Sequence, residues 1–119
     1  MTANETLNVA RAYHDGWTSG KFDDAISLLS AGLEVEVPIN DYPTTASFAQ
    51  AVRSFGSLVT RVELLSEMSA GDEAMLLYDM HVEQVGTIRI VEHFTVADGK
   101  IARLRQIHDT VAFRTPATP

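Results

Sequence analysis

With 119 residues, 45% of them hydrophobic and 21% charged, the chain carries enough apolar surface for one self-sufficient core and too little length for two domains. Nine lysines and arginines against sixteen aspartates and glutamates leave a net charge of −7, which repels phosphate backbones and anionic lipid, so neither nucleic acid nor a membrane is an expected partner. There is no cysteine, which excludes disulfides, thiolate metal sites and thiol nucleophiles.

Met1-Thr2-Ala3-Asn4-Glu5 carries an acid where a secretory signal needs a basic and then an apolar run, and no apolar run approaches a membrane span, so a cytoplasmic location is expected. Thr2 and Glu5 stand at capping-box spacing, and Leu7, Ala10, His14 and Trp17 recur at helical spacing with Tyr13 beside them, which predicts a helix to about Thr18. Gly20 stops it. Phe22, Ala25, Ile26 and Leu29 then predict a short second helix ended by Gly32. Leu33 to Val37 alternates with period two before Pro38, as a strand with its odd positions buried does, and Asn40-Asp41-Tyr42-Pro43 is turn chemistry. Phe48, Val52, Phe55 and Val59, with Ala51, mark a third helix from about Thr45 to Thr60. Strands follow over Arg61 to Met68, Glu73 to Gln84, Thr87 to Val96 and Lys100 to Thr110, separated by Ala70-Gly71-Asp72, Val85-Gly86 and Ala97-Asp98-Gly99. The domain is read as residues 1–114, with 115–119 as a frayed tail. This order predicts an α+β fold in which a curved antiparallel sheet, with helices on one face, forms a half-open cone around an apolar hollow.

If Val85-Gly86 is a two-residue turn, Asp79 faces Glu92 and His81 faces Ile90 across the hairpin. One face then carries Met75, Leu77, Asp79, His81 and Glu83 with Ile88, Ile90, Glu92, Phe94 and Val96, and the other carries Leu76, Tyr78, Met80 and Val82 with Arg89, Val91, His93 and Thr95. On the last strand Arg103 and Arg105 favour the outer side, which leaves Leu104, Gln106 and His108 inward. Asp79, His81, Glu92, Gln106 and His108 are thus expected to converge in a concavity lined by Val35, Val37, Phe55, Ile88, Ile90 and Phe94, with Trp17 at its wall. Titratable groups in such a hollow perturb one another, which is how general acids and bases are tuned. A hydrogen-bonded polar core is the alternative meaning of the same cluster. No cofactor is called for, and without a spacing such as His-Glu-x-x-His no metal site is assigned.

Tyr13-His14-Asp15-Gly16-Trp17-Thr18-Ser19-Gly20-Lys21-Phe22, Val35-Glu36-Val37-Pro38, Glu92-His93-Phe94 and Asp98-Gly99-Lys100-Ile101 together resemble the nuclear transport factor 2-like superfamily over nearly the whole chain. Within it the sequence is most similar to ketosteroid isomerases and SnoaL-type polyketide cyclases. The resemblance implies the cone fold, and it implies an oxyanion-hole pair: the helix-one tyrosine falls on Tyr13, and the acid of the isomerase Asp-His-Phe run falls on Glu92. In that isomerase the acid is kept neutral by its apolar site so that it can donate a hydrogen bond. The pattern also departs from the family. Val37 stands where the isomerases have their base, and Gln106 stands where polyketide cyclases and limonene epoxide hydrolases have an aspartate.

Another base is therefore required, and His81 is the first candidate, with Asp79 two residues away on the same expected face; His108 is the second. Scytalone dehydratase, in the same superfamily, resembles this in using histidines within its cone. His14 and His93 are read as solvated or interface residues without a role. The expected function is an isomerase, cyclase or dehydratase acting on a small apolar carbonyl or hydroxyl compound; the alternative is a binding module that uses the same hollow without catalysis. A homodimer is expected through the outer sheet face, on Tyr78, Met80, Val82, Val91 and Ile107.

Overall fold

The computed structural model describes residues 2–114, so the expected tail at 115–119 lies outside the described residues. The elements in chain order are α1 (Ala3–Thr18), α2 (Phe22–Ile26), β1 (Leu29–Glu36), α3 (Thr45–Gly56), β2 (Val59–Ala70), β3 (Glu73–Val82), β4 (Gly86–Ala97), β5 (Lys100–His108) and α4 (Val111–Arg114). Among the described residues no helix is long and apolar enough to cross a membrane. The Thr2 hydroxyl accepts from the Glu5 amide at 3.1 Å and starts α1, and Thr44 with Ser47 forms the capping box of α3. Gly20, at φ 80, lets the chain leave α1 in a conformation costly for other residues. At Gly16 an added Cβ would lie 3.1 Å from the Ala25 Cβ, so this glycine is what allows α2 to fold back onto α1.

The sheet order is β1-β5-β4-β3-β2. Four strands pair antiparallel as expected, but β1 runs parallel to β5, with Val35 beside Leu104. The second helix is shorter than expected because the chain turns after Ile26 and begins β1 at Leu29, and α3 stops at Gly56, where the chain turns into β2. The last strand ends at His108 rather than Thr110, and the short α4 begins at Val111.

The concave sheet face meets α1. Ala10, Tyr13 and Trp17 pack with Leu76, Tyr78, Ile90, Phe94 and Leu104, all buried, in one core. The expected β3–β4 register is corrected. Three residues, Glu83-Gln84-Val85, form the connection, Gln84 takes a left-handed φ of 67, and Val82 pairs with Gly86. Asp79 consequently faces Arg89, three residues from the expected Glu92. An odd shift exchanges the faces of a strand. Leu76, Tyr78, Met80 and Val82 point inward with Ile88, Ile90, Glu92 and Phe94, and Met75, Leu77, Asp79 and His81 point outward.

Candidate active site

The open end of the cone holds a cavity of about 370 Å³ between the concave face, α1, α3, α4 and the loop from β1 to α3. Aromatic and aliphatic side chains make most of its wall: Trp17 from α1, Tyr42, Phe48, Val52 and Phe55 around α3, Met80 and Ile90 from the sheet, and Phe113 from α4. Its polar groups are few: the hydroxyls of Tyr13, Tyr42 and Tyr78, with Glu92, Gln106, His108 and Asn40. None of the described lining residues is a lysine or an arginine.

Glu92 is the chemical centre of this arrangement. It sits in mid-strand on β4, only 1% exposed, opposite Gln106 on β5. Its Oε1 accepts from the Tyr78 hydroxyl at 3.1 Å, and its Oε2 accepts from Gln106 Nε2 at 2.7 Å. Burial disfavours the carboxylate and raises its pKa from 4.5 to about 7, against the opposing pull of the donors Gln106 and Tyr78. Asp79, on the other face of the sheet, plays no part in this shift. Burial and the charge of Glu92 both raise the Tyr13 and Tyr78 hydroxyls well above the ordinary tyrosine range, so both remain proton donors.

The structure places Tyr13, Trp17, Val37, Phe55, Ile90, Glu92, Gln106 and His108 around the cavity, as expected. Two expected catalytic residues are displaced by the register. Asp79 lies on the convex face, where Arg89 donates to both its oxygens at 2.8 and 2.9 Å. That hydrogen bonding, with the charge of Arg89, holds its carboxyl below the usual range. His81 is exposed on the same face, with Nδ1 3.1 Å from the Thr87 hydroxyl. Neither can meet a ligand in the cavity. Val35, Ile88 and Phe94 are also outside the lining. Phe94 is covered by Tyr13, edge to face at 5.9 Å, Ile88 is buried beside Met80, and Val35 packs partly buried beside Leu104.

His14 and His93 also depart from expectation. His14 is buried, edge-on to Tyr78 at 4.8 Å and to Trp17 at 5.8 Å, with its Nδ1 unpartnered. Desolvation lowers its pKa to about 4, so it is a neutral wedge behind the site. His93 is buried on the convex side, bridging Glu73 at 2.8 Å and Arg105 at 3.4 Å.

Tyr78, expected from the sequence on the outer face, instead lines the cavity and bonds to Glu92. The available signal was electrostatic: Asp79 opposite Glu92 would set two acids side by side, whereas Asp79 opposite Arg89 makes a cross-strand ion pair. At the cavity rim the Asn40 amide donates to the Pro38 carbonyl at 2.8 Å, closing a three-residue turn with Ile39 at φ 73. A β-branched residue is strained there, and Ile39 is 59% exposed while bordering the cavity.

Comparisons with known proteins support the same architecture. A protein from Kribbella flavida is 31% identical, with 90% of this chain and 88% of that one covered at a TM-score of 0.85. An LEH-like epoxide hydrolase from M. tuberculosis, at 16% identity, covers 92% of this chain and 86% of its own with a TM-score of 0.77. A candidate ketosteroid isomerase from Kribbella flavida, also at 16% identity, covers 98% and 84% with a TM-score of 0.76. None of the curated proteins matches. The fold is nuclear transport factor 2-like, a mixed α+β architecture with a curved, unclosed sheet. The SnoaL-like domain model matches residues 10–104, and on that match, which covers most of its length, the chain belongs to the SnoaL-like domain family.

Proposed function

We propose that this protein is a small-molecule enzyme of isomerase, cyclase or dehydratase type, polarising the oxygen of a neutral, largely apolar substrate by donation from Glu92 and Tyr13. The observation that carries the reading is Glu92: a carboxyl inside an apolar hollow, raised to about 7 and gripped at both oxygens. An acid with a pKa near working pH has a usable protonated population and still gives up its proton readily. Tyr13 lines the same cavity and feels the charge of Glu92, so a carbonyl or hydroxyl oxygen placed between them would meet two donors in a poorly solvated site, where such donors act most strongly.

The wall chemistry sets the substrate class. With no lysine or arginine among the described lining residues, a carboxylate or phosphate would enter without a counter-charge and face Glu92. A cavity of about 370 Å³ has room for about a dozen waters at ~30 Å³ each, which suits a mono- or bicyclic ligand. That structural neighbours include an LEH-like epoxide hydrolase and a candidate ketosteroid isomerase is in keeping with a small-molecule enzyme on this fold.

A second reading, a non-catalytic binding module, is favoured by one feature: Val37 and Gln106 stand where the resemblance to ketosteroid isomerases and polyketide cyclases places the bases. Exchange of α-hydrogens of 2-tetralone, a neutral bicyclic ketone, in deuterium oxide separates the two. Enzyme-accelerated exchange that falls about 10² to 10³-fold in Tyr13→Phe, the usual effect of losing one oxyanion donor, supports the enzyme. The single tryptophan, Trp17, lines the cavity, so its fluorescence reports occupancy independently. Ketone binding without any accelerated exchange would identify a binding module.

A further inference from the structure

Donation to a substrate oxygen, as proposed above, leaves open which group takes the proton from carbon, since neither Val37 nor the amide of Gln106 can. We propose that His108 is that acceptor, with Nε2 as the basic atom and Glu92 as its acidic partner across the substrate. His108 lines the cavity at the end of β5, on the same strand face as Gln106 and two residues beyond it. Because Gln106 pairs with Glu92, His108 is the diagonal neighbour of Glu92, a relation that sets backbones roughly 7–8 Å apart. Glu92 bonds to Tyr78 and Gln106, and His108 bonds through Nδ1 to the Asp109 carbonyl; among the described residues no hydrogen bond joins the two side chains, so a substrate in the cavity can touch both.

A hydrogen bond fixes the tautomer. His108 Nδ1 lies 2.9 Å from the carbonyl oxygen of Asp109, and a carbonyl only accepts, so in the neutral ring Nδ1 carries the hydrogen and Nε2 keeps its lone pair. Phe113 stands edge-on to the imidazole at 5.6 Å and itself meets Phe55 at 6.3 Å. The ring is thus braced between the strand end and α4, and partly shielded from water.

The step balances without a further reagent. The Nε2 lone pair takes a hydrogen α to the carbonyl, the C–H pair becomes the C=C bond, and the carbonyl π pair moves to oxygen, which takes a proton from Glu92. The imidazolium then returns its proton to another carbon, giving isomerisation, or to a departing β-hydroxyl, giving water and a dehydrated product; Glu92 recovers its proton as the enol collapses.

The test uses 2-tetralone exchange in deuterium oxide together with nitrogen-15 NMR of the histidines. His108→Gln is expected to lose about 10² to 10⁴ of the accelerated rate while Trp17 still reports ketone binding, and free imidazole is expected to restore rate to His108→Gly. The His108 resonances should show hydrogen on Nδ1 and not on Nε2 at alkaline pH. Unchanged exchange in His108→Gln alongside lost exchange in Glu92→Gln would overturn the base assignment alone and leave the Glu92 reading standing, as would hydrogen on Nε2. Wild-type protein that binds the ketone without accelerating exchange would instead remove the enzyme reading and this proposal with it.

Discussion

At the scale of single residues, two buried groups on either side of Tyr78 are shifted in ways that oppose each other. Glu92 moves up from 4.5 to about 7, so its contribution to stability is full below the unfolded pKa and is lost as pH rises through about 7. His14 moves down from 6.5 to about 4; its contribution is full above 6.5 and is lost as pH falls through about 4. The groups acting on His14 are Arg11 and Asp15 of its own helix and Glu67 of β2; Glu92 faces Tyr13, Tyr78 and Gln106. Each shift is on the order of 3 kcal/mol, with overlapping windows, so in the wild-type protein the two largely cancel between pH 4 and 7. Glu92→Gln exposes the histidine, and its unfolding free energy should climb by about 3 kcal/mol across that range. His14→Phe, which keeps an aromatic ring against Tyr78 and Trp17, should fall by a similar amount. Urea denaturation of the three proteins at pH 4.5 and pH 7 checks both slopes, and a flat profile for Glu92→Gln would contradict the assignment.

At the scale of elements, the sequence made periodicity legible and left register hidden. The Thr2 cap, the stripe of α3, the turns at Gly71 and Gly99 and the inward sets of β4 and β5 follow from local chemistry and hold in the structure. The inward face of β3 did not follow, because both of its alternating sets are partly apolar and the choice depended on a connection one residue longer than a tight hairpin. The price was the loss of Tyr78 and the misplacement of Asp79 and His81. The parallel pairing of β1 with β5 joins segments far apart in sequence and leaves no local trace. The strained turn at Ile39 was equally invisible, since only its backbone angle reveals it. Ile39→Gly should relieve the left-handed strain and raise stability by about 1 kcal/mol, read as a higher melting temperature; a lower one would show that the side chain contributes more at the rim than its exposure implies.

At the scale of the whole molecule, the outer sheet face is the other feature in want of a partner. Tyr78, Met80 and Val82, expected on it, are inside; Val91 and Ile107 lie on it as expected, joined by Met68, Met75 and Leu77 in an apolar band, and Met68 and Ile107 are 68% and 72% exposed. Such a band, rimmed by the Asp79–Arg89 pair and by Arg103 and Arg105, has the apolar centre and polar edge of a protein interface. We propose that two copies pair there. Sedimentation should give a dimer that Ile107→Glu converts to monomer, and a concentration-independent wild-type monomer would refute the pairing. The cone keeps the Glu92 carboxyl from water, and the proposed function depends on that carboxyl. Carbon-13 NMR of the Glu92 side-chain carboxyl across a pH titration tests it most directly: the account predicts a midpoint near 7, and a midpoint in the ordinary range near 4.5, with Glu92 ionised throughout neutral pH, would contradict it.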